Sequence, residues 1–203
     1  MKEIFRIFAV ITFIWLCVFI PLNTNKEKIV ESSDKVKENI TKLFTTSTKQ
    51  VEMTSNDIKF DMDLRDPVSY TAADYNKALA GTPLQGLGQA FKDCEKTEVS
   101  SLFMAALACH ESGYGSSALS RNKNNLFGFM AYDKDPYNSA KQFSSKEECI
   151  KYVSKYLKTN YLTGNGQMFN GYNLSAVNKK YASDKAWADK VFNIMQDLQK
   201  KMM

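Results

Sequence analysis

The sequence predicts a mainly α-helical domain with one core, carried behind an apolar N-terminal segment and a polar stalk. Three observations lead there: capping-box starts at Thr71 and Ser145, apolar residues at helical spacing after each, and little of the alternation that strands show. At 203 residues with 44% apolar and 24% charged content, the chain can bury one core of ordinary size and not two.

The first 22 residues begin with Lys2, Glu3 and Arg6 and continue as an apolar run from Ile7 to Ile20, interrupted only by Thr12 and closed by Pro21. A cleaved signal peptide wants small residues after such a run, and the chain offers Phe19, Ile20, Pro21 and Leu22. The favoured expectation is therefore an uncleaved transmembrane anchor, extended by Ile4, Phe5 and Leu22 toward a spanning length. Lys2, Arg6 and the terminal amine favour a cytoplasmic N-terminus, so the remainder is expected outside, at the cell membrane.

Residues 23–66 read as an extracytoplasmic stalk rich in Lys, Glu, Ser and Thr. Ile29, Val36, Ile40 and Leu43 form a helical stripe that serves a spacer or pairs with a partner. This stretch carries eight basic and nine acidic side chains, whereas residues 67–203 carry seventeen and twelve, which accounts for the net charge of +5. A basic domain beyond a membrane suits an anionic cell wall; no groove-reading or aromatic nucleic-acid motif accompanies the charge. With Cys94, Cys109 and Cys149 and a single imidazole, His110, the chain lacks material for a zinc site, and no metal or cofactor is expected.

From Pro67 the elements are short helices. Thr71 with Asp74 opens a helix from Ala72 to Ala80, stopped by Gly81; Leu84, Leu87 and Phe91 mark a second. Thr97 is expected to start a third, apolar nearly all round at Val99, Leu102, Phe103, Ala106, Leu107 and Cys109, hence buried. Residues 126–132 could form a short strand. Ser145 with Glu148 opens a helix bearing Ile150, Val153, Tyr156 and Leu157, and residues 160–172 have the composition of a mobile loop. Ser183 is the expected cap of a final helix through Trp187, Val191, Ile194 and Leu198.

The chemistry candidate stands where the buried third helix ends, at His110-Glu111-Ser112-Gly113-Tyr114-Gly115. Desolvation by the core and the negative end of the helix dipole both oppose ionisation there, which would keep a proton on Glu111 for a poor leaving group such as a sugar oxygen. The competing reading is a helix-end carboxylate paired with a lysine or an amide. His110, beside it, faces another side of the helix and reads as packing.

The stretch from Tyr70 to Leu198 resembles the glucosaminidase domain of glycoside hydrolase family 73, the bacterial endo-β-N-acetylglucosaminidases that include autolysins. The likeness rests on four ordered segments: Ala80 to Phe91, Phe103 to Gly115, Asn124 to Gly128 with Ala131 to Pro136, and Tyr181-Ala182-Ser183-Asp184 before Trp187-Ala188. The resemblance implies a lysozyme-like α+β fold, with a helical lobe facing a small, partly β lobe across a cleft that binds peptidoglycan glycan strands. It implies Glu111 as general acid and Tyr181 as the cleft tyrosine that orients water or the N-acetyl group. Asp133 and Asp135 are then candidates for the second carboxylate, while Glu147 and Glu148 suit a helix start. Phe127, Gly128 and Tyr132 are candidates to line the sugar cleft, as is Phe129. Asn125 is a candidate for an N-acetyl group, although Asn124 and Asn125 also suit a turn. The expected reaction is hydrolysis after N-acetylglucosamine, with a lytic transglycosylase or a non-catalytic wall-binding subunit as alternatives.

Overall fold

A computed structural model describes residues 58–131 and 135–203. The anchor over 1–22, most of the stalk, and Tyr132 and Asp133 lie outside the described residues, so those expectations are neither supported nor opposed. The described residues all belong to one unit, Thr54–Met203.

Helix α1, Ala72–Ala78, starts as predicted. Thr71 accepts from the Asp74 amide and Asp74 accepts from the Thr71 amide at 2.8 Å, so two donors that a helix start leaves orphaned are satisfied reciprocally. Helix α2, Gly88–Lys92, runs into a 3₁₀ turn over Asp93–Thr97, and Glu98 at φ 54° redirects the chain. This displaces the expected start of the third helix: Thr97 spends its hydroxyl on the Cys94 carbonyl at 2.7 Å, and α3 spans Ser101–Ser112 behind Ser100. Every residue from Ser101 to Cys109 is buried, as the all-round apolar pattern required. Around α3 pack α2 and the final helix, α8, Trp187–Met202, which also contacts α1.

Three short helices were not anticipated. Ser117 caps α4, Ala118–Lys123, and Asn173 caps α7, Leu174–Tyr181, each through its side-chain oxygen. No strand occurs among the described residues. Over 126–131, where one was expected, the chain makes turns, because Asn125 ties the loop to itself, accepting from Phe129 N at 2.9 Å and donating to the Phe129 and Lys141 carbonyls. Pro136–Ser139 forms α5, one turn long.

Helix α6, Lys146–Asn160, starts at Ser145 as predicted, but the box is offset by one residue: Glu148 returns to the amide and hydroxyl of Ser144, each at 2.7 Å. The segment after it is a fastened loop. Met168 N donates to the Asn160 carbonyl at 2.9 Å, and a Cβ on Gly166 would lie 2.4 Å from that same oxygen. Only glycine permits that approach.

The stalk was expected to run to Asp66, yet its last residues pack on the domain. Ile58, Phe60 and Met62 lie against the core, Leu64 is wholly buried, and Arg65 stacks 3.4 Å from the centre of the Tyr172 ring. Leu64 N donates to the Tyr172 carbonyl and its own carbonyl accepts from Ser100 N, both at 2.8 Å.

Candidate functional site

Glu111 is the penultimate residue of α3, delivered by three buried turns to the edge of the core. The turn beyond is held by Ser112, whose hydroxyl donates to the Ala108 carbonyl at 2.5 Å and accepts from Gly115 N at 2.7 Å. Gly113 and Tyr114 are both left-handed, and Gly115 at φ 83° brings its α-carbon so close to Leu84 that a Cβ would lie 2.9 Å from Leu84 Cδ2. We expect Gly115→Ala to cost about 2 kcal/mol through positive φ and this contact. The urea unfolding midpoint should fall with the m-value unchanged.

Among the described residues the carboxyl meets a single hydrogen-bond donor. Trp187 Nε1, at the first position of α8, donates to Glu111 Oε1 at 3.0 Å. Among the described residues Glu111 enters no ion pair. Burial pushes its carboxyl above the ordinary carboxylate range, opposed in part by the indole N–H and by nearby His110. The position at the negative end of the α3 dipole acts in the same direction as burial. This is the environment of a carboxyl whose ionisation burial opposes, not of a helix-end ion pair.

Tyr181 is the last residue of α7, before the turn into the final helix, and the chain turns back so that its ring lies 4.9 Å from that of Trp187, tilted by 36°. The turn is held by Asn178, which donates to the Ala182 and Asp184 carbonyls and accepts from Ala188 N at 3.4 Å. Ser183 does not cap α8, whose first residues receive no side-chain cap; the Asp184 carboxylate receives the amide of Ala186, just before the helix, at 2.9 Å. Burial, followed by the neighbouring Glu111 carboxyl, pushes the Tyr181 phenol well above its ordinary value, so it remains a neutral hydroxyl. Beyond Tyr181 the aromatic contacts continue through Tyr161, Tyr156 and Phe129 to Tyr152, with centroid separations of 5.0 to 6.3 Å.

Other candidates stand elsewhere. Asp135 caps α5, accepting from the Asn138 amide at 3.1 Å and side chain at 2.8 Å, and these bonds hold its carboxyl below the usual range. Asn125 is buried, its side-chain oxygen accepting from Phe127 N and Phe129 N and its amide donating to the Phe129 and Lys141 carbonyls, so nothing remains to meet an N-acetyl group. Phe127 belongs to the core. Gly128 at φ 60° has open space where a Cβ would be. Asn124 makes the turn after α4, donating to the Phe143 and Ser144 carbonyls. Glu147 and Glu148 line a separate cavity of about 510 Å³ with Cys94, Thr97 and Ser154, which includes neither Glu111 nor Trp187. Cys94, Cys109 and Cys149 are free and buried, their thiols each pushed up to about 12.

Sequence reasoning missed Trp187, which reads as an ordinary apolar position of an amphipathic helix and lies 76 residues from its partner. What the fold and site define together is a helical domain that sets one carboxyl, at the end of its buried helix, beside an indole and a neutral phenol. Residues 88–200 match the glucosaminidase family, described as mannosyl-glycoprotein endo-β-N-acetylglucosaminidase, and the chain belongs to that family. It is 33% identical over 146 residues to curated proteins from two strains of Streptococcus pneumoniae, each carrying the provisional name endo-β-N-acetylglucosaminidase. That match takes in 69% of this chain but only 22% and 21% of the two relatives, so the chain spans about a fifth of their length. Among solved structures, it is similar to Staphylococcus aureus autolysin E. A catalytic mutant of that protein, bound to the disaccharide NAG-NAM, matches with a TM-score of 0.58 at 24% identity, over 73% of this chain and 76% of that one. The same autolysin bound to the muropeptide NAM-L-Ala-D-iGlu matches with a TM-score of 0.57 at 25% identity, over 75% and 77%.

Proposed function

We propose that this protein hydrolyses the β-1,4 bond after N-acetylglucosamine in peptidoglycan glycan strands, with Glu111 as general acid. The observation that carries the reading is the Glu111 carboxyl itself, set at the tip of a buried helix, free of any ion pair among the described residues, with its ionisation opposed by burial. Membership of the glucosaminidase family supports the bond type, and the relatives bound to NAG-NAM and to a muropeptide support the polymer. Glu111 protonates the departing sugar oxygen, a water attacks the anomeric carbon, and the Tyr181 hydroxyl orients that water or the N-acetyl group.

The proposal extends to placement. The apolar run from Ile7 to Ile20 anchors the chain in the cell membrane, and residues 23 onward carry the domain outward to the wall, as spacer or as a helix that pairs with a partner. Digestion of purified peptidoglycan by the full chain tests the reaction. New reducing ends at N-acetylglucosamine are the expected products; anhydro-muramic ends would replace hydrolysis by a transglycosylase, and no release at all would leave a wall-binding subunit.

A further inference from the structure

We propose that Trp187 is a positioning residue of this reaction: its indole N–H holds Oε1 of Glu111, so that Oε2 is the atom that carries the proton to the departing sugar oxygen. The inference rests on the general-acid reading of Glu111 and deepens it.

The geometry supplies the argument. An indole Nε1–H can only donate, so the carboxyl oxygen it faces must accept, and a proton on a neutral carboxyl so held resides on the other oxygen. Trp187 is buried, with 2% of its surface exposed, and its ring is clamped against Tyr181 at 4.9 Å. The bond therefore joins two side chains that have little freedom to turn away. During cleavage the proton passes from Oε2 to the glycosidic oxygen, the bond from that oxygen to the anomeric carbon breaks with its electron pair going to the oxygen, and the attacking water forms the new bond and releases its proton to solvent. Glu111 is left as a carboxylate. Hydrogen bonds to ionised acceptors are stronger than those to neutral ones, so the contact with Trp187 tightens as the negative charge develops and favours the transition state over the ground state. The titratable groups around this pair are His110 on α3, Tyr181 at the end of α7, and, next to Tyr181, Tyr161, Tyr156 and Cys149.

Trp187→Phe in the full chain keeps an aromatic ring and deletes the donor. On peptide-free soluble glycan strands we expect the plateau kcat to fall about tenfold, the loss of one charge-assisted hydrogen bond. KM should stay within about twofold, and the alkaline limb of the kcat profile should move up by about one pH unit because the carboxylate has lost its stabilising donor. An alkaline limb that stays in place, whether or not the melting temperature falls, would reduce Trp187 to packing and overturn the proposal. A second readout does not depend on that variant folding. The chain has two tryptophans, Trp15 and Trp187, and the wild-type emission should titrate with the midpoint of the alkaline limb. Glu111→Gln should abolish that titration; its persistence would overturn the proposal as well. Failure of the wild type to release reducing ends would instead sink the glucosaminidase reading, while the fluorescence titration would still judge the contact between Trp187 and Glu111.

Discussion

Glu111→Gln is expected to lower the rate of glycan cleavage by about a thousandfold, the usual worth of a well-placed general acid, and at the same time to make the protein more stable at neutral pH. Both effects follow from one carboxyl. Glutamine keeps the shape and can still accept from Trp187 Nε1, but it has no proton to give. The stability change follows from proton linkage. An unfolded glutamate titrates near pH 4.3, and burial raises the folded value above that. Between the two, the native state holds a proton that the unfolded chain has released, so stability declines as pH rises through this window and the cost is complete above the folded value. Removing the ionisable group removes the cost. At pH 7 the variant should melt at a higher temperature than the wild type, and the difference should vanish below about pH 4. Thermal melts of both proteins at pH 4 and pH 7, beside a reducing-end assay, check the pair. A glutamine variant that retains lysis, or one that is less stable at pH 7 than at pH 4 relative to wild type, would refute the account.

How much of this was legible beforehand depended on how local each signal is. Thr71 with Asp74 and Ser145 with Glu148 place two helix starts because the capping groups lie within four residues of one another. The burial of α3 was legible from its uniform apolar composition, and Glu111 from its place at the end of it. Helices α4 and α7 were hidden, since six and eight residues carry too few apolar positions to show a period, and their caps Ser117 and Asn173 look like loop residues. Asn125 misled for a related reason: an asparagine that staples its own loop and one that binds a ligand are identical in sequence, and only the filled hydrogen bonds separate them. Thr97 was displaced as a cap by a left-handed residue, Glu98, that no propensity would favour there. Asn178 is the least visible of the determinants, because the turn it holds is what sets Trp187 against Glu111.

The largest stability effect is expected from a residue that the charge pattern conceals. Leu64 sits in Asp61-Met62-Asp63-Leu64-Arg65-Asp66, where four acidic or basic neighbours make the segment read as stalk, yet its side chain has no exposed surface. Leu64→Ala should cost about 3 kcal/mol, the usual range for a buried leucine truncated where the surroundings cannot collapse. That corresponds to a melting temperature roughly 9 °C lower for a unit of this size. Ile58→Ala, at a position only partly buried against the core, should cost distinctly less and serves as the comparison. The backbone of Leu64 bridges the Tyr172 carbonyl and Ser100 N, so this segment joins the loop after α6 to the N-terminal end of the buried α3. A chain trimmed to residues 67–203 would lose that bridge, the Leu64 side chain and the Arg65 stack on Tyr172 together, and should unfold at a lower denaturant concentration than Leu64→Ala alone. Equal stability of the trimmed and complete domains would return residues 58–66 to the stalk. The expected inequality makes them part of the folded domain.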